Sequence, residues 1–294
     1  MTAEFYVDDH SQNLLAWLPY DQAKSLSSLD KGAAAVSRTQ YLDLDDRTED
    51  VRELMRERPR ETKDFLEKYE LSWIYHECAL EGMVLTHAEL RQALDLNPGM
   101  VDSSMAHSFT EVRNQLNAIE YIKQEAKAKQ VKYNLSLVKK LYEILYSSLP
   151  NRIPVQFRRD MPLHRTYFHD IVQPVQIQPA LEQLFNFMES EEFLRMHPFK
   201  QATHSDHRFM EIFPFSDLSG KVGRMMMNLI LIRAGYMPLV IHSMDREAYY
   251  DALRLNATQF GQVMMESMDN ALDNAFKFFL PHWNETSRRR AASE

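Results

Sequence analysis

The chain has 294 residues, 45% of them hydrophobic, enough for a substantial core in one large domain or a domain with an extension. A formal net charge of −8 argues against general binding to nucleic acid or to an anionic membrane, since both favour a basic face. The single cysteine, Cys78, excludes an internal disulfide and suits a reducing, cytoplasmic setting. That fits a start lacking the basic and apolar pattern of a secretory signal and a chain with no run of about 20 apolar residues.

Only 7 glycines, among long stretches rich in Leu, Met, Ala, Glu, Lys and Arg, predict an all-α fold. Residues 1–47 have weak periodicity and an acidic run at Asp43, Asp45 and Asp46, and read as an N-terminal extension with a short helix or hairpin. Residues 48–130 form a set of N-terminal helices. The helical pattern starts at Thr48, breaks at Pro59 and resumes from Glu61 to Leu80, with Phe65, Tyr69, Trp73 and Cys78 near the spacing of one buried face. Glu81-Gly82 closes that helix, and Thr86 with Glu89 makes a capping box that opens the next. After the Asn97-Pro98-Gly99 turn, helices are expected from about Ser104 to Lys127 and from Ser136 to Ser148.

Pro150 and Pro154 bracket a change of period. Residues 155–159 and 167–172 look extended, forming a hairpin on which His164 and His169 would be exposed to solvent. Pro179 suits the first turn of a helix through Phe187, and His197-Pro198 begins another that carries His204, His207, Phe209 and Ile212 and stops at Pro214. The next helix, Ser219 to Ala234, is apolar nearly all round, with Gly235 placed for a left-handed cap, and reads as a core helix. Residues 241–287 supply further C-terminal helices, and 288–294 are a tail. The 17 methionines suggest adaptable packing more than a cofactor box.

A helix that apolar leaves the polar and small residues at its start to be explained. Asp217, Ser219, Gly220, Lys221, Gly223 and Arg224 cluster where helix N–H groups and the positive dipole end are exposed. Glycines allow close approach, Lys221 and Arg224 add charge, and Asp217 could hold a divalent cation against phosphate oxygens. This reads as a phosphate site; a capped helix with a charged first turn is the plainer alternative.

The segment Phe213-Pro214-Phe215-Ser216-Asp217-Leu218-Ser219-Gly220-Lys221-Val222-Gly223-Arg224 resembles the signature of Fic-domain (Fic/Doc) proteins, His-Pro-Phe-x-Asp-Gly-Asn-Gly-Arg followed by x-Gly-Arg. It matches at Pro214, Phe215, Asp217, Gly220, Gly223 and Arg224. The resemblance implies a Fic-type helical bundle with a core at 131–240, and a small β-hairpin flap at 155–172 that pairs with a protein target. It also implies ATP or another nucleotide with Mg²⁺ as cofactors, Ser219, Gly220, Lys221, Gly223 and Arg224 as nucleotide-binding residues, Asp217 as the metal ligand, and a homodimer as a common assembly. His207 matches a structural family position.

The leading histidine of the signature is the family's general base for AMP transfer, and Phe213 replaces it. Leu218, Ser219 and Lys221 are further departures, the last losing the planar fork of an arginine. His204 lies about 13 Å along the helix from position 213, too far to replace that base. A second resemblance is to the family's inhibitory helix, Ser/Thr-x-x-x-Glu-Gly/Asn, at Glu77 to Gly82. It implies that Glu81 pairs with Arg224 and keeps ATP from seating, with Glu77 standing where a Ser or Thr is usual. Two functions remain open: a nucleotide-binding pseudoenzyme that has lost histidine-based AMP transfer, or an active nucleotidyltransferase of altered chemistry using another base, toward a protein hydroxyl or a small molecule.

Overall fold

The computed structural model describes residues 36–95, 104–149, 155–162 and 169–280. They are helical: α1 (Arg38–Glu57), α2 (Pro59–Leu80), α3 (His87–Leu94), α4 (Ala106–Ala126), α5 (Leu135–Leu145), α6 (Ile177–Met188), α7 (Glu191–Leu194), α8 (Pro198–Ile212), α9 (Ser219–Arg233), α10 (Arg246–Ala252) and α11 (Ala257–Phe279). No strand occurs among the described residues, and no helix there is long and apolar enough to cross a membrane.

The core helix is α9. Met225, Met226, Met227, Leu229 and Leu231 are all fully buried, as its nearly uniform apolarity demands. It packs along α8 and α4, with α11 and α6 against α8 and α5 against α4. Gly223 sets the closeness of α8 and α9: a Cβ there would lie 2.8 Å from Asp206 Oδ1 and 3.1 Å from the Phe209 ring.

Helix ends follow their local chemistry. Ser37 and Gln40 make a capping box that starts α1, and Thr86 and Glu89 make the one expected at α3. Gly82 (φ 92°) and Gly235 (φ 91°) end α2 and α9 in Schellman turns: Met83 N–H bonds Cys78 O while Gly82 N–H bonds Ala79 O, and Tyr236 and Gly235 repeat the pattern onto Leu231 and Ile232. The first of these turns leaves Glu81 at the C-cap of α2, a position the site below uses.

Two expectations need correction. Helix α1 begins at Arg38, ten residues before the sequence pattern turns helical, because its charges are spent internally: Arg47 is buried and bonds Asp269 and Asp273 of α11 at 2.6 and 2.5 Å, beside the buried Leu44 and Val51. The hairpin at 155–172 does not pair as strands where it is described. Its arms spend N–H groups on the end of α8 and the turn after it instead, Val172 N on Glu211 O at 3.0 Å and Arg158 N on Pro214 O at 2.9 Å. Residues 163–168, with His164, and the tail from 281 onward lie outside the described residues, as does the N-terminal extension before residue 36.

Candidate functional site

Helices α2, α4, α5, α8, α9 and α10 converge on the N-terminus of α9. The connection from α8 is tight: Phe213 caps α8 in the left-handed region (φ 45°, ψ 65°) and Leu218 enters α9 there too (φ 57°, ψ 0°). A non-glycine residue in that region costs on the order of 1–3 kcal/mol and persists only where its surroundings hold it. Part of that hold is Arg158, buried under the turn. Its Nε donates to Phe213 O at 2.7 Å, and its Nη groups donate to Ile212 O (3.2 Å), Asp160 O (3.3 Å) and Val172 O. Ser219 also ties the turn, its hydroxyl accepting from Phe215 N at 2.9 Å and donating to Phe215 O at 3.0 Å. No sequence signal marked Arg158; it is an ordinary arginine in an extended stretch. Arg158→Met should cost about 3 kcal/mol of stability in urea unfolding, because several buried carbonyls lose a charged donor.

Phe213 itself is fully buried and presents no proton acceptor. Arg224 is at the centre of the site and is 1% exposed. Its Nε donates to Glu77 Oε1 at 2.6 Å, its Nη2 to Glu81 Oε1 at 2.7 Å, and its guanidinium lies 5.7 Å from the Tyr249 ring centroid. The Glu81–Arg224 pair implied by the resemblance is therefore present. Arg224 Nη1 is buried without a partner among the described residues. A Cβ on Gly220 would lie 2.8 Å from that Nη1 and 2.6 Å from Glu81 Oε1, so this glycine leaves room for the carboxylate over the helix mouth. Those two side chains are the nearest to that position.

Lys221 is equally buried and meets Glu111 Oε2 at 3.3 Å. The two cations read from sequence as facing outward are thus each matched by an internal carboxylate, on α2 or α4. Burial pushes the Glu77 carboxyl up from its ordinary value, and the Arg224 charge pulls the other way. On α8, fully buried Asp206 accepts from Tyr249 OH at 3.2 Å through Oδ2, and Oδ1 is without a partner among the described residues. Desolvation pushes its carboxyl up to about 7, against Arg224, which lowers it. Asp206 carried no motif that sequence reading could use.

Asp217 is exposed and accepts from Tyr142 OH at 3.2 Å; partial desolvation is the main cause of its raised carboxyl pKa. Among the described residues no group of three or more His, Cys, Asp or Glu is arranged to hold a metal ion. A lone carboxylate still suits Mg²⁺, which takes its other oxygens from phosphate and water.

Of the other histidines, His107 reaches the edge of the site, its Nε2 3.0 Å from Glu111 Oε1, while His207, His204 and His169 make their contacts elsewhere. His207 is buried and donates from Nε2 to Leu255 O at 2.8 Å, in keeping with packing. His204 sits 5.2 Å from the Phe187 ring, and burial pushes it down to about 4. His169 is not solvent-exposed as its hairpin assignment suggested: it is buried and donates to Met210 O at 2.8 Å.

Comparison with known proteins matches residues 132–231 to the Fic/DOC family. Proteins called protein adenylyltransferase Fic are similar: that of Drosophila mojavensis is 29% identical over 194 residues, and that of Culex quinquefasciatus is 29% identical over 187. Each match covers 62% of this chain and 36% of the relative, so this chain spans only about a third of their length. Among solved structures, a Fic domain containing signaling protein from Bacteroides thetaiotaomicron superposes with a TM-score of 0.66 at 20% identity, covering 80% of this chain and 96% of that one. Fic-1 from C. elegans superposes at 0.64 with 19% identity, covering 82% and 71%. At these identities the structures establish the shared helical fold.

Proposed function

The chain belongs to the Fic/DOC family, and from that premise we propose that it binds a nucleotide or another phosphate-bearing ligand at the start of α9 and has lost the histidine-based AMP transfer of its relatives. The observation that carries the loss is Phe213, fully buried at the position of the family's base, with no lone pair to accept a proton. Positioned proton transfer contributes about 100- to 10,000-fold to such reactions.

The binding half is supported by the mouth itself. Arg224 Nη1 is a buried charged donor without an acceptor among the described residues, and it lies close to Gly220. Phosphate oxygens displacing Glu81 would meet Nη1, Nη2 and the free N–H groups of the first turn of α9. Lys221 would add charge and Asp217 would hold Mg²⁺, whose chemistry is to neutralise charge on bridged phosphate oxygens. A protein segment running past residues 155–172 and a homodimer belong to the same proposal as its partners.

The test uses saturating Mg·ATP. Adenylyl transfer is measured for the unaltered chain, Glu81→Gly, and Glu81→Gly combined with Phe213→His. The expected result is AMP transfer from the last protein at least about 100-fold above the others. Transfer by the unaltered chain, abolished by Lys221→Ala, would reverse the proposal in favour of an enzyme with another base.

A further inference from the structure

Glu77 and Glu81 lie four residues apart on α2, so both carboxylates face the same way and repel each other unless a cation stands between them. Arg224 is that cation, but the two contacts are unequal. Glu81 holds Nη2 from the helix end, with its side chain 16% exposed. Glu77 holds Nε one turn deeper, 4% exposed, in a pair shut off from water.

The charges around the mouth sharpen the difference. With Glu81 turned away, Arg224 and Lys221 remain opposite Glu77 and Glu111, and that group of four has no net charge. An incoming phosphate would gain hydrogen bonds from the Nη edge while finding little electrostatic attraction, with Asp217 nearby adding repulsion. Resting on the proposed ligand site, we infer that Glu77 is a permanent counter-ion of Arg224: it orients the guanidinium with its Nη edge toward Gly220 and, by cancelling its charge, sets the anion affinity of the mouth. Releasing Glu81 alone therefore opens the site without making it strongly attractive to phosphate.

Glu77 is a positioning and affinity-setting residue that need not touch the ligand. Its burial supports this role, since a charge pair in a water-poor site is poorly screened and acts over several ångströms. The carboxyl is also pushed up from its ordinary value, so its ionised form is held against a desolvation cost.

The experiment measures Mg·ATP, tripolyphosphate and adenosine binding by calorimetry to Glu81→Gly, Glu77→Gln, and the double variant. Glutamine keeps an oxygen for Arg224 Nε and removes only the charge. Glu77→Ser, with space for a water at Nε, is a second route should the amide pack badly, and thermal unfolding verifies the fold of each protein. The double variant should bind Mg·ATP and tripolyphosphate about 10- to 100-fold more tightly than Glu81→Gly, with adenosine unchanged. A merely structural role would shift adenosine as well, and that result overturns the inference. Equal polyphosphate affinity in Glu81→Gly and the double variant also overturns it while leaving the ligand site standing. Absence of phosphate-ligand binding in every folded variant overturns both.

Discussion

Arg224→Ala should lower the stability of the chain by about 3–5 kcal/mol at neutral pH, because it strands the buried Glu77 carboxylate without its partner. Glu81 can relax toward solvent, so most of the loss belongs to Glu77. The sign of the pH dependence follows. Without the guanidinium the folded-state pKa of Glu77, already raised by burial, rises further, while the unfolded chain ionises near the ordinary 4.5. The penalty is therefore small up to the folded-state pKa of Glu77 in the unaltered chain, which burial already holds above that value, and grows as pH rises beyond it. Urea unfolding at pH 4.5 and pH 8 measures it, and an equal loss at both would show that cavity formation, not charge, dominates. Arg224→Met with Glu77→Leu should recover much of the stability, as replacing a buried ion pair by apolar groups of similar volume often does. A binding assay on Arg224→Ala alone must accordingly be normalised to its folded fraction.

The second large effect belongs to Asp206. Its carboxyl titrates near 7 in the folded chain against an ordinary 3.8, so between those values the unfolded state has lost its proton and the folded state keeps it. Stability falls as pH rises across that window, by up to about 4 kcal/mol from this group, and levels off above it. Asp206→Asn removes the titration while keeping the shape. The difference between the two unfolding curves should therefore widen in favour of the asparagine chain from about pH 4 to pH 7. Parallel curves would mean that Arg224 and Tyr249 hold the carboxylate ionised throughout.

Much of the fold was legible because its boundaries rest on local chemistry. Thr86 with Glu89, Pro214 and Gly235 each act within a few residues, and each marks an end where the helices start or stop. The apolar run at Met225–Leu231 likewise specified a buried helix on its own. The site was legible in position, through the signature residues and the Glu81–Arg224 pair, but not in state. Whether Lys221 and Arg224 are open cations or neutralised ones depends on Glu111 and Glu77, which lie more than 100 residues earlier in the chain. Neither acid differs in sequence from one on a solvated helix face. The same reason hid α1, whose Arg47 looks like surface charge until Asp269 and Asp273 reach it. The hairpin, where it is described, failed for a related cause: alternation fits a strand, yet Val172 and Arg158 find their acceptors at the end of α8 and on the turn that follows.

The Schellman turn at Gly82 places Glu81 on the last rung of α2, and the last rung is where a helix unravels most readily. That rung is nonetheless held, Leu80 O accepting from Arg246 Nε at 2.8 Å, so uncovering the α9 mouth asks for the release of one side chain and not the separation of packed helices. Glu77, one turn further in and 4% exposed against Arg224, has no such route to solvent. The molecule consequently carries a latch at the helix end and a bolt one turn behind it, set in succession along one helix.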